Sequence, residues 1–309
     1  MKNVFAMKSI SAAVVAGIFV LASCSKSNDN PLSSTDSQNV NSESVSSSTA
    51  NETTDLTNSV MSNVSNTQLA QGRVSGVILG LDAKDGRLKG ATITIVGTRG
   101  PNGVSGIITI DYGTTGVTTE GVTRKGKIIV TYSGRRLDIG ATRTITFSNF
   151  SRNSVMIAGS YMVTVQDTSV TSFDITATFK HVSQLTLTFP DNTTLTRNAS
   201  FTAVWDYKTG TPTQSTITHK AGGTVQGTTR KGATYAMAIV TDLIYRWDCF
   251  AAGMFLPFSG SKTITVTSAA GSTPVVYTLS YGSGGNCTNS YTVMVNGKSK
   301  TITVSPDGN

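Results

Sequence analysis

The 309-residue chain is predicted to be an all-β protein, an antiparallel β-sandwich or meander, on three observations. Short runs in which apolar residues alternate with threonine recur from position 74 onward, and a period of two is typical of half-buried strands. Turn signals separate these runs, and Asp85-Gly86 and Asn296-Gly297 are pairs that tolerate positive φ in tight hairpins. Helical periodicity is nearly absent from the same region. A strand-built body follows from these patterns.

Residues 1–23 are predicted to be a lipoprotein signal peptide. Lys2 and Lys8 lie beside an apolar run that is too short to span a bilayer and is typical of a secretory signal. The tripeptide Leu21–Ser23, directly before Cys24, resembles a bacterial lipobox. This resemblance implies cleavage before Cys24 and attachment of acyl chains, palmitate among them, to that residue. The alternative is an ordinary signal peptide followed by a coincidental cysteine.

Residues 24–72 are predicted to be a disordered tether. The stretch is rich in Ser, Asn and Thr and holds few large apolar residues, so it is not expected to bury enough surface to offset its chain entropy. A brief helix over 59–69 is the weaker alternative. Ser25, in place of an aspartate beside Cys24, resembles the enterobacterial pattern for sorting to the outer membrane. We therefore expect a lipid-anchored outer-membrane protein, either facing the periplasm or exposed at the surface.

The remaining residues are predicted to form two related β modules, over 73–180 and 181–309. Thr118–Gly126 and Thr224–Gly232 have similar sequences, which favours duplication of a β unit. Chance similarity between Thr- and Gly-rich segments is the alternative. Six clear strand patterns lie at 91–96, 106–110, 142–147, 262–267, 291–295 and 299–304.

Two segments resemble motifs of a known group. Gly121–Ile128, followed by a strand, and Tyr281–Cys287, ahead of Asn296-Gly297, resemble motifs of uncharacterised β-rich lipoproteins from Bacteroidota. The resemblance extends over most of the chain from Val74 onward. It implies a β-rich fold and an envelope location, and it implies no reaction.

Cys249 and Cys287 are the two cysteines that remain once Cys24 is assigned to lipid. In an oxidising compartment the two can form a disulfide. That bond would close a loop of about 38 residues and contribute about 4 kcal/mol in the chain-entropy model. The alternative is that they are buried thiols that pack as small hydrophobic side chains.

Charge indicates little about partners. The net charge is +8, charged residues make up 14% of the chain, and basic pairs such as Arg124-Lys125 and Arg230-Lys231 are scattered near turns. Nucleic-acid-binding proteins concentrate basic residues on one face with aromatic residues between them, so no nucleic-acid partner is expected. We expect the basic residues on a solvated β surface, with attraction to anionic lipid or polysaccharide as the alternative.

No catalytic, cofactor or metal site is predicted. His181 and His219 are the only histidines, far apart in sequence and expected at the surface or across strands, whereas metal sites need clustered ligands. A Ser-His-Asp catalytic triad is not predicted either, because no Gly-x-Ser-x-Gly elbow lies between a strand and a helix. Gly282–Gly285 precedes no helix that could complete a phosphate site.

Carboxylates leave a hydrolase open as an alternative function, because paired acids can cleave glycosides. The candidates are Asp111, Glu120, Asp206, Asp242 and Asp248. A structural role is favoured for two of them. We expect Asp111 and Asp206 to pair with Arg124 and Arg230 and to stabilise equivalent turns.

Trp205, Tyr207, Tyr245 and Trp247 form the candidate ligand platform. Residues two apart on a strand share a face, and aromatic faces can stack on sugars. Burial in the core is the alternative. The sequence thus favours a non-enzymatic binding or envelope-structural lipoprotein, with a polysaccharide or an envelope protein as partner. A carrier of lipid or of another envelope component is a further alternative.

Overall fold

A computed structural model describes residues 32–67, 73–77, 85–100, 103–268, 272–282 and 286–304. The signal peptide predicted for residues 1–23 and the lipidation predicted at Cys24 lie outside the described residues. Within them the chain folds into one antiparallel sheet and two α-helices, so the all-β prediction is confirmed.

The two helices differ in length, and short 3-10 turns lie at Gly86–Leu88 and Pro212–Gln214. The helices are α1 (Ser34–Thr67) and α2 (Trp247–Ala251). The strands are β1 (Arg73–Val77), β2 (Thr92–Gly100), β3 (Gly103–Asp111), β4 (Val117–Thr119), β5 (Val122–Ser133), β6 (Thr142–Arg152), β7 (Val155–Val170), β8 (Asp174–Thr188), β9 (Thr194–Lys208), β10 (Thr216–His219), β11 (Thr224–Thr228), β12 (Thr234–Arg246), β13 (Ser259–Thr267), β14 (Val275–Tyr281), β15 (Ser290–Val295) and β16 (Lys298–Thr303).

The sheet is a meander in which almost every strand pairs with the next one along the chain. Its order is β1-β2-β3-β5-β6-β7-β8-β9-β10-β12-β13-β14-β15-β16, with β4 beside β5 and β11 between β9 and β12. All six clear strand patterns match strands, namely β2, β3, β6, β13, β15 and β16, with Ala91 and Val304 one residue outside the strand ends. Local alternation was sufficient to find them because each strand presents one face to the core.

The two predicted hairpin turns have different outcomes. Asn296 and Gly297 join β15 to β16 with φ of 50° and 73°, the positive values that a tight hairpin needs. Asp85 instead caps the 3-10 turn that follows it, and its carboxylate accepts a hydrogen bond from the Arg87 amide. The hairpin prediction at Asp85-Gly86 is therefore wrong.

The disordered tether predicted for residues 24–72 is wrong over Ser34–Thr67, because these residues form the long helix α1. A capping box begins the helix. The Ser33 hydroxyl accepts a hydrogen bond from the Asp36 amide, and the Asp36 carboxylate accepts one from the Ser33 amide. Ser, Thr and Asn are poor helix formers, so tertiary contacts supply most of the stability of α1.

The sheet surrounds α1. Glu52 of the helix contacts Arg124 of β5, whereas Ser44 donates a hydrogen bond to Tyr291 of β15, near the other end of the strand order. The five successive residues Ser42–Ser46 are all buried, and five successive residues cover every side of a helix. The core therefore lies between the inner face of the sheet and α1, which is buried on all sides over Ser42–Ser46.

The prediction of two modules, over 73–180 and 181–309, is also wrong. The boundary falls inside β8, which pairs along its length with β7 and β9. The described residues form one compact unit. A continuous hydrogen-bonded ladder leaves no linker at which two modules could separate.

The two similar segments occupy different elements, which does not support duplication. Thr118–Gly126 forms part of the β4–β5 hairpin, and Arg124 is buried there in a strand. Thr224–Gly232 forms β11 and the turn after it, and Arg230 lies in that turn. Their shared final glycine has a local reason at each site, since φ is +80° at the first and +78° at the second.

The outer face of the sheet is polar along β5, and other strands add exposed apolar side chains such as Val96, Ile107 and Met156. On β5, Ile128 and Val130 point inward and are buried, whereas Lys125, Lys127 and Thr131 alternate with them and are exposed. This alternation is typical of an antiparallel sheet with one face in water. Of the helices in the described ranges, none has both the length and the apolar character needed to cross a membrane.

Candidate ligand cavities inside the sheet

Several basic residues line the interior of the sheet, contrary to the prediction that they lie on its solvated surface. The buried basic side chains are Arg87, Arg124, Arg143, Arg152, Arg197 and Lys262. The sequence carried a signal for this placement. Arg143 and Ile145 on β6, and Lys262 and Ile264 on β13, lie two residues apart, so each cation shares its strand face with a core residue.

Glu52 of α1 forms ion pairs with two of these cations. Arg124 donates to Glu52 Oε1, with Nε at 3.0 Å, and Arg152 donates to Glu52 Oε2. Burial opposes ionisation of Glu52. The charges of Arg152 and Arg124 outweigh this effect and hold the pKa of Glu52 below its usual value. The carboxylate therefore joins α1 to β5 and β6 as an ionised group.

Glu43, further toward the start of α1, forms a second cluster. Its carboxylate lies 3.5 Å from Lys262 Nζ and 3.9 Å from Arg197 Nε, and the Tyr235 hydroxyl donates to it at 3.2 Å. Burial again opposes ionisation, and the charges of Lys262 and Arg197 outweigh it, so the pKa of Glu43 is lowered. The two clusters fix α1 along its axis.

Arg136 and Arg143 are different, because neither forms an ion pair with a carboxylate in the described part of the chain. Arg143 Nη1 donates to the amide oxygen of Asn58, and its guanidinium lies 5.6 Å from the Phe179 ring centroid. Arg136 donates to a serine hydroxyl of α1 and lies 4.4 Å from the Trp205 ring centroid. Neutral and aromatic partners thus replace a counter-charge.

Burial weakens protonation of both guanidinium groups without removing it. Desolvation lowers the pKa of Arg143 to about 9, and the nearby charge of Arg136 adds to that effect. Desolvation also lowers the pKa of Arg136 to about 10, although the charge of Asp55 opposes the shift. Both side chains remain cationic at neutral pH.

These two arginines line a cavity of about 40 Å³ between α1 and the sheet, which we name the arginine cavity. Its other walls include Asp55, Tyr161, His181, His219, Trp205 and Trp247. At roughly 10–15 Å³ for each water molecule, this space holds about three waters or one group of that size. A carboxylate or another small anion has suitable dimensions.

His181 and His219 lie together in the core, so the prediction that they are far apart or at the surface is wrong. The cross-strand alternative is confirmed, because His181 lies opposite Phe201 and His219 lies opposite Ala203. The two histidine ring centroids are 6.2 Å apart, and the His181 ring stacks on Phe201 at 4.8 Å. His181 Nδ1 lies 2.6 Å from the Tyr161 hydroxyl. Burial lowers the pKa of His219 to about 3 and that of His181 well below its usual value. Both rings are neutral at physiological pH.

The predicted aromatic platform is not an exposed surface. Trp205 and Tyr245 are buried, and Tyr207 and Trp247 are half-buried. The structure brings Trp205 and Trp247 to the wall of the arginine cavity, whereas Tyr245 packs against His219 with ring centroids 4.6 Å apart. Two of the four residues therefore line a cavity from inside the sheet, and flat stacking on a polysaccharide is excluded for the buried pair.

A second cavity of about 210 Å³ adjoins the first, and we name it the acidic cavity. It shares Asp55, Trp247 and Phe250 with the arginine cavity. Its remaining walls are Ser59, Asp85, Gly86, Arg87, Glu120 and Ala251. Helix α2 thus lies beside both cavities and contributes aromatic side chains to each.

The predicted ion pairs of Asp111 and Asp206 with arginines are wrong. Asp111 pairs with Lys127 at 2.8 Å and Asp206 pairs with Lys208 at 3.1 Å, both on the outer face. Arg124 pairs instead with Glu52.

The remaining candidate acids do not converge on one site. Arg230 pairs with Asp191 in the turns beside β9 and β12. Asp242 pairs with Lys220, and Asp248 pairs with Arg246. Glu120 forms no ion pair in the described part of the chain, and it lines a cavity that none of the other four candidates lines. The structure therefore brings no two of the five candidates together as the paired carboxylates that glycoside cleavage needs.

Cys249 and Cys287 form a disulfide, so their predicted pairing is confirmed. The bond joins α2 to the segment between β14 and β15. Among the described residues, the one cluster of three possible metal ligands consists of these cysteines and Asp248. Both sulfur atoms are engaged in the disulfide, so they are not thiolate ligands.

Comparisons with protein-family models, with curated proteins and with solved structures find no match to this chain. The resemblance to β-rich lipoproteins therefore stays a prediction. The class of protein is defined by the fold itself, an antiparallel meander that surrounds a polar helix and holds two cavities of opposite charge against it.

Proposed function

We propose that this chain is a lipid-anchored outer-membrane protein that binds a small anionic ligand in the arginine cavity, without catalysing a reaction. One observation carries the proposal. Arg136 and Arg143 are cationic and line a partly open cavity, and no described carboxylate forms an ion pair with either of them.

Buried charges without a counter-charge are unfavourable, and proteins usually pair them. The neighbouring cations of this interior follow that rule, since Arg124 and Arg152 share Glu52. Arg143 is buried and Arg136 is half-buried, and Asp55 on the same cavity wall forms its ion pair with Arg87 and with neither of them. This exception favours a counter-charge that arrives from outside the chain. Guanidinium groups favour carboxylates and phosphates because they donate parallel, charge-assisted hydrogen bonds.

The walls restrict the kind of anion. Trp205, Phe179 and Phe250 provide apolar surface, and the volume of about 40 Å³ suits one carboxylate-sized group. A polysaccharide chain does not fit inside this space. The preferred ligand is thus a small organic acid, or the acidic end of a slightly larger molecule that extends into the adjoining cavity.

The envelope location follows from the lipobox before Cys24 and from the sorting pattern at Ser25. Helix α1 begins at Ser34. At no more than about 3.6 Å per residue, ten residues reach roughly 35 Å. The anchor would then hold the sheet close to the membrane, in place of the long flexible tether predicted from composition.

Isothermal titration calorimetry at low salt tests the binding proposal, with acetate, propionate, phosphate and sulfate as probes. Arg143→Met should abolish binding of the acid that wild type prefers. The exposed Arg135→Met, from the same loop as Arg136, is the matched control and should bind normally. If no probe binds wild type, or if both variants bind equally well, the proposal is wrong.

Metabolic labelling with a palmitate analogue tests the anchor. Wild type should be labelled and should partition with membranes, and Cys24→Ser should be neither labelled nor processed. An unlabelled wild-type protein recovered from aqueous extracts would overturn lipidation while leaving the arginine cavity untouched.

A further inference from the structure

The acidic cavity has a charge opposite to that of the arginine cavity beside it. Asp55, Asp85 and Glu120 contribute three carboxylates, and Arg87 contributes the one cation in its lining. Arg87 pairs with Asp55 at 2.6 Å and with Asp85 at 2.7 Å. One guanidinium thus faces three acids.

Glu120 is the acid without a partner. It lies exposed in the turn between β4 and β5, and it forms no ion pair within the described part of the chain. Its backbone has a φ of 53°, a conformation that few residues other than glycine adopt. Its Oε1 atom lies so close to Gly86 that a Cβ atom there would be 2.7 Å from it. The fold therefore directs this carboxylate toward the cavity.

Asp55 provides independent evidence for a ligand. Its Oδ2 atom accepts from Arg87, but its Oδ1 atom is buried and has no hydrogen-bond partner in the described part of the chain. Arg87 Nη1 is likewise buried and unpartnered. The two side chains are 6% and 10% exposed, and both line the acidic cavity. Buried polar atoms of this kind are rare without a partner.

Two aromatic side chains of α2 lie where the cavities meet. Trp247 and Phe250 line both of them, as does Asp55. Aromatic faces attract ammonium groups, and they also cover the methylene chain of a small molecule. The combination of acids with aromatic rings favours an organic amine over a metal ion, because the aromatic rings contact the methylene groups of an amine and do not ligate a metal ion.

We infer that the ligand is a small zwitterion that spans both cavities, with its carboxylate at Arg136 and Arg143 and its ammonium group at Asp55 and Glu120. The inference rests on the proposed function, because the carboxylate end is the anion proposed there. A cationic end explains the excess of acid, the unpartnered oxygen of Asp55 and the placement of Glu120 with one molecule.

Calorimetry of the full-length protein with a graded set of probes tests the inference. The probes are propionate, propylamine, glycine, 4-aminobutyrate and 6-aminohexanoate. One of the amino acids should bind at least tenfold more tightly than propionate, because both of its charges find partners. The chain length that binds best measures the separation of the two charged sites.

Three variants test which residues bind the ammonium group and the carboxylate of the ligand. Glu120→Gln should remove the advantage of the amino acid over propionate and leave propionate binding unchanged. Arg143→Met should weaken both probes. Asp111→Asn, a carboxylate on the outer face that lines neither cavity, should leave both affinities unchanged.

The outcomes separate this inference from the proposed function. If propionate binds, no amino acid binds more tightly, and Glu120→Gln has no effect, the zwitterion is excluded and anion binding stands. If neither propionate nor any amino acid binds wild type, both proposals are wrong. If propylamine alone binds and Glu120→Gln abolishes that binding, the acidic cavity is an amine site, and the zwitterion is again excluded.

Discussion

Replacing Glu52 by glutamine tests whether α1 is a core element. The substitution keeps the shape of the side chain and removes the negative charge shared by Arg124 and Arg152. The three side chains are 4%, 3% and 7% exposed, so water cannot replace the lost charge. Removing one partner of a buried ion pair typically costs about 3–5 kcal/mol. Against a typical total stability of about 5–15 kcal/mol, this loss is large.

The outer face provides the matched control. Asp111→Asn breaks the pair with Lys127, whose side chains are 30% and 49% exposed. Exposed pairs contribute about 0–1 kcal/mol, so the control should lose less than about 1 kcal/mol. Replacing Glu52, Arg124 and Arg152 together by methionine should restore much of the loss, because no unpaired charge then remains in the core.

Equilibrium unfolding in urea, followed by tryptophan fluorescence at pH 7, measures these differences. Glu52→Gln should lower the midpoint strongly while leaving the slope with urea unchanged. If Glu52→Gln and Asp111→Asn lower the midpoint equally, α1 is not held by buried ion pairs. The reasoning about the interior of the sheet would then fail, and residues 34–67 would behave as the tether that composition suggests.

Three further predictions use the same assay. Burial lowers the pKa of His219 to about 3, below its unfolded value near 6.5, so the unfolded state binds a proton that the folded state does not. The contribution of His219 to stability should therefore fall by about 1.4 kcal/mol per pH unit between pH 6.5 and about pH 3, and His219→Phe should remove that contribution; an unchanged pH slope would refute it. Reduction of the bond between Cys249 and Cys287 should cost about 4 kcal/mol, and a Cys287→Ser variant that is insensitive to reductant is the control. Gly159→Ala should cost at least about 1–3 kcal/mol, because φ is +106° and the new Cβ atom would lie 2.0 Å from a carbonyl oxygen of β8; Gly210→Ala, in open space, should be neutral, and equal effects would contradict this account.

The position of the buried cations was partly readable from the sequence. Arg143 has the same parity on β6 as Ile145, and a charged residue on the core face of a strand indicates a polar interior. The partners were not readable, because Glu52 is 72 residues from Arg124 and 100 residues from Arg152. Pairings over such separations depend on which strands the sheet brings next to the helix.

Helix α1 could not be predicted from local sequence patterns either. The capping pair Ser33 and Asp36 was visible, but the residues that follow have low helix propensity and alternate in no clear apolar pattern. The helix is stabilised by the cations that the interior of the sheet offers to Glu43 and Glu52, and by burial of apolar side chains such as Val40 and Leu56. Local patterns cannot reveal a helix whose polar face is stabilised by distant strands.

The sequence by itself determined the all-β class, six of the strands, the turn at Asn296-Gly297 and the cysteine pair that could bond, because each depends on neighbouring residues or on composition. Only the tertiary structure decided that α1 fills the sheet and that Arg136, Arg143 and Glu120 meet at adjoining cavities. The physical reason is that a buried charge is tolerated only where the fold supplies its partners, and those partners come from elements far apart along the chain.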